Sequence, residues 1–246
     1  MKKIFIILLA LLILTGCQKQ QIPETVPTVE STAAIATETT AAATVPPTTE
    51  PETLPTAPPE PESDDVFVRV LDYIPTAVQE LRYATEDNFT GQVIYPFQDA
   101  YLRYGTVRKL KLVSEDLAEL GLYIKIWDGF RPVSSQFALW KVCPDPTYVA
   151  NPNTGYSSHS RGNTIDLTLV DENGVELEMP TGFDDFSAKA DRNYHDCTET
   201  AANNAELLEI LMEKHGFVGY AGEWWHYSDA TSYLVENVFD PSTNQG

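Results

Sequence analysis

Between residues 66 and 246 the apolar positions follow two periods. Two long segments, 106–120 and 201–215, carry apolar residues at helical spacing, and each stops at a glycine, Gly121 or Gly216. Shorter alternating or continuous apolar runs predict strands at 66–70, 122–127, 164–170, 217–220 and 224–227. The pattern predicts an α+β domain in which helices pack on a central antiparallel sheet.

Shorter signals complete the predicted elements. Residues 74–78 begin a short helix or turn, and Ser134 or Ser135 can cap a helix that runs to Val142. The sequence Asp-Glu-Asn-Gly at 171–174 predicts a hairpin into a strand at 175–179. Residues 180–198 are expected to form an irregular loop.

The first seventeen residues differ from this pattern. Two lysines and an apolar run from Ile4 to Leu14 predict a secretory signal that is too short to span a bilayer. The run ends in Leu-Thr-Gly-Cys, which resembles a bacterial lipobox and implies that Cys17 is lipidated. An ordinary signal peptide or an uncleaved anchor are the alternatives. The prediction is an extracytoplasmic protein that contacts the membrane only through its N-terminal lipid.

Residues 18–65 form a second segment without aromatic side chains. Its 48 positions include eleven Thr and nine Pro. Such a composition buries too little apolar area to offset the entropy of ordering the chain, so the segment is predicted to be a disordered linker. The folded domain is therefore expected to span 66–246.

Net charge narrows the choice of partners. The formal charge is −20 at pH 7. Nucleic acids and anionic membrane surfaces repel such a protein, so neither is a predicted partner.

The stretch 157–168, Ser-Ser-His-Ser-Arg-Gly-Asn-Thr-Ile-Asp-Leu-Thr, carries the first candidate chemistry. Asp166 lies on the predicted strand and points away from the face of Ile165 and Leu167, while His159 lies in the loop before it. An imidazole and a carboxylate supply two of the three protein ligands that a catalytic zinc ion requires. Gly162 allows the chain to turn between them.

The stretch 222–227, Gly-Glu-Trp-Trp-His-Tyr, offers the rest of a zinc site. His226 is the candidate third ligand, and Glu223 is a carboxylate that does not bind the metal and takes a proton from water. For both to reach one water molecule, Glu223 is expected in the turn after Gly222, with His226 already on the strand. The sequence thus predicts Zn²⁺ at the sheet face, held by His159, Asp166 and His226.

Simpler interpretations exist for each residue alone. A histidine in a polar loop is usually only a loop residue, and Glu-x-x-His is a weak signal. The chain has only four histidines, however, and two of them lie beside acidic residues in these two stretches. The combination favours a metal site.

These motifs resemble those of a known family. Ser-x-His-x-x-Gly-x-x-x-Asp followed by Glu-x-Trp-His is similar to the zinc D,D-peptidases of the LAS group, which includes the M15 peptidases. The complete sequences of the two stretches resemble those of the VanX-type D-alanyl-D-alanine dipeptidases. The stretches 83–91 and Trp-Asp-Gly-Phe-Arg-Pro at 127–132 resemble the same dipeptidases. The resemblance covers about 66–240. It implies a zinc peptidase acting on a small D,D-peptide.

The resemblance also implies roles for further residues. Arg131 would point at the scissile carbonyl and stabilise the oxyanion. Asp184 would bind the free ammonium group of the substrate, although the adjacent Asp185 leaves the register open by one. Ser157 and Ser158 would bind the substrate carboxylate or the metal-site loop, and local turn bonding is the alternative.

Four further residues have thiol or imidazole side chains outside these motifs. Cys143 and Cys197 are the cysteines other than Cys17, and a disulfide between them is chemically allowed outside the cell. His195, beside Asp196, is a candidate neighbour of the metal site. His215 ends a predicted helix and is expected to be structural.

One departure from the family keeps the substrate open. Only 27 residues separate Arg131 from His159, a shorter segment than the resembled intracellular dipeptidases carry. The favoured function is zinc-dependent hydrolysis of D-Ala-D-Ala. The alternatives are a D,D-carboxypeptidase that trims peptidoglycan stem peptides and a non-catalytic lipoprotein that binds the cell wall.

Overall fold

A computed structural model describes residues 58–243. The predicted signal with Cys17, and most of the predicted linker, lie outside these residues. The described part contains four α-helices, α1 (Val70–Tyr73), α2 (Tyr104–Ala118), α3 (Val133–Val142) and α4 (Glu199–Lys214). Its seven strands are β1 (Phe67–Arg69), β2 (Val78–Gln79), β3 (Tyr101–Arg103), β4 (Tyr123–Asp128), β5 (Thr164–Val170), β6 (Phe217–Tyr220) and β7 (Glu223–Asp229). The α+β class is confirmed.

The main sheet has five strands in the order β2-β4-β5-β7-β6, and β1 and β3 form a separate antiparallel pair. The predicted antiparallel sheet needs one correction, because β2 pairs with β4 in parallel. The chain passes from β2 through β3 and helix α2 before it enters β4, and a helical crossover of this kind brings two strands into parallel alignment. The other three pairings in this sheet are antiparallel.

Helices α2 and α4 pack against the sheet and against each other. They bury Val107, Leu110, Leu117, Leu208 and Met212 in the same core as the apolar residues of β5. Alternation along β5 directs Asp166 and Thr168 to the face opposite that of Ile165, Leu167 and Leu169. All seven residues of β5 are nonetheless buried, so the second face is covered as well.

Two local predictions are corrected by backbone geometry, and a third, the turn at 74–78, is confirmed. Helix α3 begins after Pro132, so Ser134 and Ser135 lie in its first turn and neither side chain caps it. The turn at 171–174 is present, but the strand predicted after it is reduced to a single bridge between Val170 and Glu176. In the 74–78 segment a turn leads into β2, and the short helix α1 comes before it.

Both ends of the described chain pack near the loop that contains His159. The Arg103 guanidinium donates to the Asp65 carbonyl at 2.6 Å and to the Arg161 carbonyl at 3.0 Å. At the other end the Glu236 amide donates to the Ser160 carbonyl at 2.8 Å. Residues 58–65, the end of the predicted linker, are thus described, and the division into signal, linker and domain stays a prediction. Among residues 58–243 no helix has the length and apolar character that crossing a membrane requires.

Gly162 allows the loop before β5 to turn, and its replacement is expected to destabilise the domain. Its φ is +75°, and a Cβ there would overlap the Phe67 ring. Gly174 has nearly the same φ, +76°, with nothing within 4 Å of an added Cβ. We expect Gly174→Ala to lower the free energy of unfolding by about 1–2 kcal/mol, the cost of the left-handed conformation. Gly162→Ala should lose about 1–3 kcal/mol more through overpacking.

Urea unfolding of both variants in the presence of chelator measures the difference without any contribution from bound metal. Equal losses for the two variants would show that the Phe67 ring moves aside at no cost and that its contact with Gly162 is unimportant for stability.

Candidate active site

Three neighbouring strands place acidic and imidazole side chains in one row. Asp128 of β4 lies opposite Asp166 of β5, and Asp166 lies opposite His226 of β7. The register of β4 shifts between Ile126 and Asp128, so Trp127 is an extra residue. Bulges of this kind redirect side chains and are common next to active sites. The row is therefore built by strand pairing, with the bulge bringing Asp128 into line.

The loop before β5 brings His159 to the same row. It forms a 3₁₀ turn at Ser158–Arg161, which begins where the Ser157 hydroxyl accepts the His159 amide. His159 Nδ1 lies 2.8 Å from the Gly129 carbonyl. A bond there places the proton on Nδ1, which leaves the Nε2 lone pair free to bind a metal.

The ligand atoms of His159, Asp166 and His226 all lie within 4.8 Å of one another. His159 Nε2 is 3.4 Å from Asp166 Oδ2, and His226 Nδ1 is 3.0 Å from Asp166 Oδ1. Asp166 Oδ1 is buried and accepts no hydrogen bond from the described residues. A buried carboxylate that has one oxygen without a donor and an imidazole nitrogen near each oxygen fits a cation. Two histidines with one carboxylate are a typical set of zinc ligands.

Burial and charge oppose each other in this cluster. Burial acts to raise the pKa of Asp166, but the two histidines outweigh it and lower that pKa. Burial acts to lower the pKa of His159, but Asp166 and Asp128 outweigh it and raise that pKa. The site thus has a strongly negative potential that favours a bound positive charge.

Glu223 lies beside the cluster, with Oε2 3.4 Å from His226 Nδ1. It was expected in the turn after Gly222, but it is the first residue of β7 and pairs with Tyr220. An irregularity in the β6–β7 register allows residues three apart to reach the same side. Burial, and then the Asp166 carboxylate, raise the pKa of Glu223.

Arg131 enters the site from the loop after β4, where its charge is paired. Its Nη2 donates to Asp128 Oδ2 at 2.5 Å, and its Nη1 donates to Gln136 Oε1 at 3.1 Å. Its Nε lies 3.2 Å from both Asp128 Oδ2 and the Tyr95 hydroxyl. Because a guanidinium has five N–H groups, one on each terminal nitrogen remains after the bonds to the described residues.

Asp128, Tyr95 and Gln136 were missed by sequence reasoning. Asp128 is fully buried, accepts the Tyr95 hydroxyl at 2.7 Å, and lies 3.7 Å from His159 Nδ1. It therefore orients Arg131 and lies behind a predicted metal ligand. Its position in the Trp-Asp-Gly-Phe-Arg-Pro stretch was the available signal, whereas nothing local distinguished Tyr95 or Gln136.

Asp184 lies at the other side of the cleft, in the left-handed backbone region with φ 54°. The Tyr83 hydroxyl donates to its carboxylate at 2.8 Å. Burial raises the pKa of Asp184 to about 7, although the Tyr83 bond acts in the opposite direction. The neighbouring Asp185 instead accepts the Ser187 amide at 2.8 Å and does not line the cavity that Asp184 lines. Of the two acids left open by the sequence, Asp184 is the one that faces the cleft.

A single cavity is lined by all eight predicted site residues of the described region. They are Arg131, Ser157, Ser158, His159, Asp166, Asp184, Glu223 and His226. Ser158 Oγ is 3.4 Å from His226 Nε2, and Ser157 Oγ is used by the loop itself. The rim carries exposed aromatic side chains, Tyr148, Tyr156, Phe186 and Tyr220.

The remaining candidates lie elsewhere. His195 is exposed in the 180–198 loop, and its amide donates to Asn193. His215 follows α4 and lies 2.6 Å from an Asp116 carboxylate oxygen, which agrees with a structural role. Cys143 and Cys197 are both free thiols.

A largely buried cluster of two histidines and an aspartate, with a carboxylate beside it in an open cleft, is the arrangement found in metal-dependent hydrolases. Residues 64–242 match the family described as Peptidase M15, D-Ala-D-Ala dipeptidase, and the chain belongs to this family. The chain is thus an enzyme, and the prediction of zinc as its cofactor is confirmed by the family together with the ligand cluster. Residues 1–18 match a prokaryotic membrane lipoprotein lipid attachment site.

Curated relatives carry the same description. The chain is 41% identical to the D-alanyl-D-alanine dipeptidase of Escherichia coli K12 over 157 residues, which cover 63% of this chain and 80% of that protein. It is 33% identical to the D-alanyl-D-alanine dipeptidase of Enterococcus faecium over 181 residues, which cover 65% and 90%. A solved structure of a mutant of the vancomycin resistance D,D-pentapeptidase VanY, in complex with Zn(II), aligns with a TM-score of 0.36 at 16% identity, covering 54% of this chain and 74% of that one.

The buried pair of Asp128 and Arg131 generates a stability prediction. We expect Asp128→Asn to lower the free energy of unfolding by about 3–5 kcal/mol, because it leaves the buried guanidinium without its counter-ion. The matched control is Glu115→Gln, which breaks an exposed pair with Lys111 and should change stability little. Denaturant unfolding in chelator measures both. Similar small losses for the two variants would mean that Arg131 is solvated and not held by Asp128.

Proposed function

We propose that the protein is an exported, lipid-anchored zinc dipeptidase that hydrolyses D-Ala-D-Ala, with Glu223 as general base. The observation that carries the proposal is the single cavity that joins the His159–Asp166–His226 cluster to Glu223, Arg131 and Asp184. Zn²⁺ held by the cluster would polarise the scissile carbonyl and lower the pKa of water from about 15.7 to about 7.

Glu223 would move the proton. Its carboxylate takes a proton from water as the water oxygen attacks the scissile carbonyl carbon, and it returns this proton to the leaving nitrogen as the C–N bond breaks. The products are two molecules of D-alanine. This role is supported by the closeness of Glu223 Oε2 to the ligand His226 Nδ1, at 3.4 Å. It is also supported by burial and the neighbouring Asp166, which raise the pKa of Glu223 above its ordinary value and make its carboxylate a stronger base.

Arg131 would stabilise the oxyanion that forms on the carbonyl oxygen. The side chain is held by Asp128, Tyr95 and Gln136, so its two remaining N–H groups have a fixed direction and lose little entropy on binding. Preorganised donors of this kind lower the barrier by a few kcal/mol, roughly 3–4 for one donor.

Asp184 would bind the substrate ammonium group, and Ser158 would bind its carboxylate. A free ammonium is present on the dipeptide, whereas the corresponding nitrogen of a longer stem peptide is an amide. A buried carboxylate at this end of the cleft therefore favours the dipeptide over D,D-carboxypeptidase activity. The exposed aromatic rim is the feature that would suit a longer peptide.

Lipidation at Cys17 would attach the enzyme to the outer face of the cell membrane. The proposal is supported by the lipoprotein attachment match over residues 1–18. The 18–65 linker would then hold the domain away from the membrane, with a limit of roughly 3.1 Å per residue for a proline-rich chain.

Glu223→Gln tests the general base. It keeps the shape of the side chain but removes its basicity, so kcat for D-Ala-D-Ala should fall by at least about 10²-fold while zinc binding persists. Release of D-alanine, measured with zinc content on the same samples, checks both. Loss of less than tenfold would remove Glu223 from the proposed mechanism, and full activity in chelator would remove the metal.

Asp184 should make activity depend on pH. With a pKa of about 7, its carboxyl is charged at pH 8 and mostly neutral at pH 6, so affinity for the ammonium group is lost as the pH falls. We expect the ratio of kcat/KM between the wild type and Asp184→Asn to be largest above pH 7. Below pH 7 the ratio should fall by about tenfold per unit.

Taking this ratio cancels the titration of groups that both enzymes share. Asparagine also tolerates the left-handed backbone at this position. A ratio that is constant from pH 5 to 8, or a stem pentapeptide cleaved faster than the dipeptide, would favour the carboxypeptidase alternative.

A further inference from the structure

Strand β7, which carries Glu223 and His226, lacks pairing with β6 between these two residues. Strand β6 pairs with β7 from Phe217↔Asp229 to Gly219↔Tyr227, and the next pair is Tyr220↔Glu223. One step along β6 thus corresponds to four steps along β7. The residues between, 224–226, have no partner in β6, and their carbonyl groups need donors from elsewhere.

Arg192, from the 180–198 loop, supplies these donors. Its Nη2 donates to the carbonyls of Trp224 at 3.0 Å and His226 at 2.9 Å, and its Nε donates to the Tyr220 carbonyl at 2.8 Å. Its backbone amide donates to the Ala221 carbonyl at 3.3 Å. A single residue therefore binds both strands across the stretch where their pairing fails.

The guanidinium is itself fixed on two further sides. Its Cζ lies 4.2 Å from the centre of the Tyr227 ring, and its Nη1 donates to the Tyr227 hydroxyl at 2.9 Å. The Glu209 carboxylate of α4 is 3.5 Å from Nη1 and also accepts the Tyr194 hydroxyl. Arg192 thus connects the irregular strand to a helix of the core.

Gly219 provides the space that Arg192 occupies. A Cβ on Gly219 would lie 2.6 Å from Arg192 Nε and would overlap Cζ. The φ of Gly219 is not in the left-handed region, so alanine is compatible with its backbone. The guanidinium is the obstacle to a side chain here, which makes Gly219 a selective means of displacing it.

We propose that Arg192 is a positioning residue that replaces the missing β6 pairing and thereby holds Glu223 and the ligand His226 on the same side of β7. The inference rests on the proposed function for the roles of Glu223 and His226. Arg192 does not line the catalytic cavity and acts only through the backbone of β7. The arrangement explains how two side chains three residues apart on a strand face one site.

Zinc affinity and steady-state kinetics of Gly219→Ala, Arg192→Ala, the double variant and Arg192→Lys test this role. Partners that orient metal ligands are worth about 10–100-fold in affinity or activity, and we expect losses of this size in zinc affinity and in kcat for both single variants. KM should stay within about threefold, because Asp184 and Ser158 are untouched. The double variant should match Arg192→Ala. Once the Arg192 guanidinium is removed, an alanine at position 219 has nothing left to displace.

Val218→Ala is the matched control, on the same strand with an exposed side chain, and should leave all values unchanged. Arg192→Lys retains the charge but not the planar fork, so about tenfold losses are expected even if Arg192→Ala does not fold. Wild-type zinc affinity and kcat in Gly219→Ala or in Arg192→Lys would overturn the proposal. So would effects of the two single variants that multiply in the double variant.

Zinc affinity is measured by competition with a chromophoric chelator, without substrate. If the wild-type protein released no D-alanine, the proposed function would fail, whereas the zinc affinities of the variants would still decide the role of Arg192.

Discussion

The carboxylate of Asp166 is the group on which the rest of the site depends. It is buried in the middle of a sheet, between two imidazoles and opposite a second acid, Asp128. An isolated buried charge is costly, and two acids directly opposite each other on adjacent strands repel. The fold therefore has to bring groups that offset this negative charge to the row. His159 and His226 approach Asp166, and Arg131 pairs with Asp128.

This compensation accounts for the irregular strands around the site. Regular pairing would alternate side chains between faces and would keep some of these groups apart. The extra residue Trp127 in β4 and the stretch 224–226 of β7, which has no partner in β6, each break the alternation once. The bulge in β4 leaves the Trp127 ring to be packed, and the ring contacts Trp224. The irregular stretch of β7 leaves carbonyl groups without a strand partner, and Arg192 donates to them. The strand irregularities are therefore part of how the site is built.

Features of the site that depend on residues close together in the sequence could be predicted, and features that depend on distant segments could not. Strand β5 and helices α2 and α4 were predicted closely, because their apolar periods are long and continuous. His159 and Asp166 are joined by one loop and one strand, so their proximity followed from local geometry. Asp128, Tyr95, Gln136 and Arg192 act through pairings between distant segments, which no local pattern encodes. The prediction of a wholly antiparallel sheet was wrong at β2 for the same reason. A strand of two residues carries no sequence signal for its direction.

Residues from distant segments also give the two ends of the cleft different charges. At one end Arg131, together with a metal ion held by the proposed ligands, would place positive charge where a carbonyl oxygen would become negative. At the other end partial burial beside Tyr83 raises the pKa of Asp184 to about 7, so its carboxyl is mostly charged only above that pH or when a cation lies beside it. In the proposed binding mode, the ammonium group of a substrate would supply that cation and thereby help to ionise Asp184. Recognition of an amine at this position would thus be coupled to the charge state of Asp184, because burial alone favours the neutral acid.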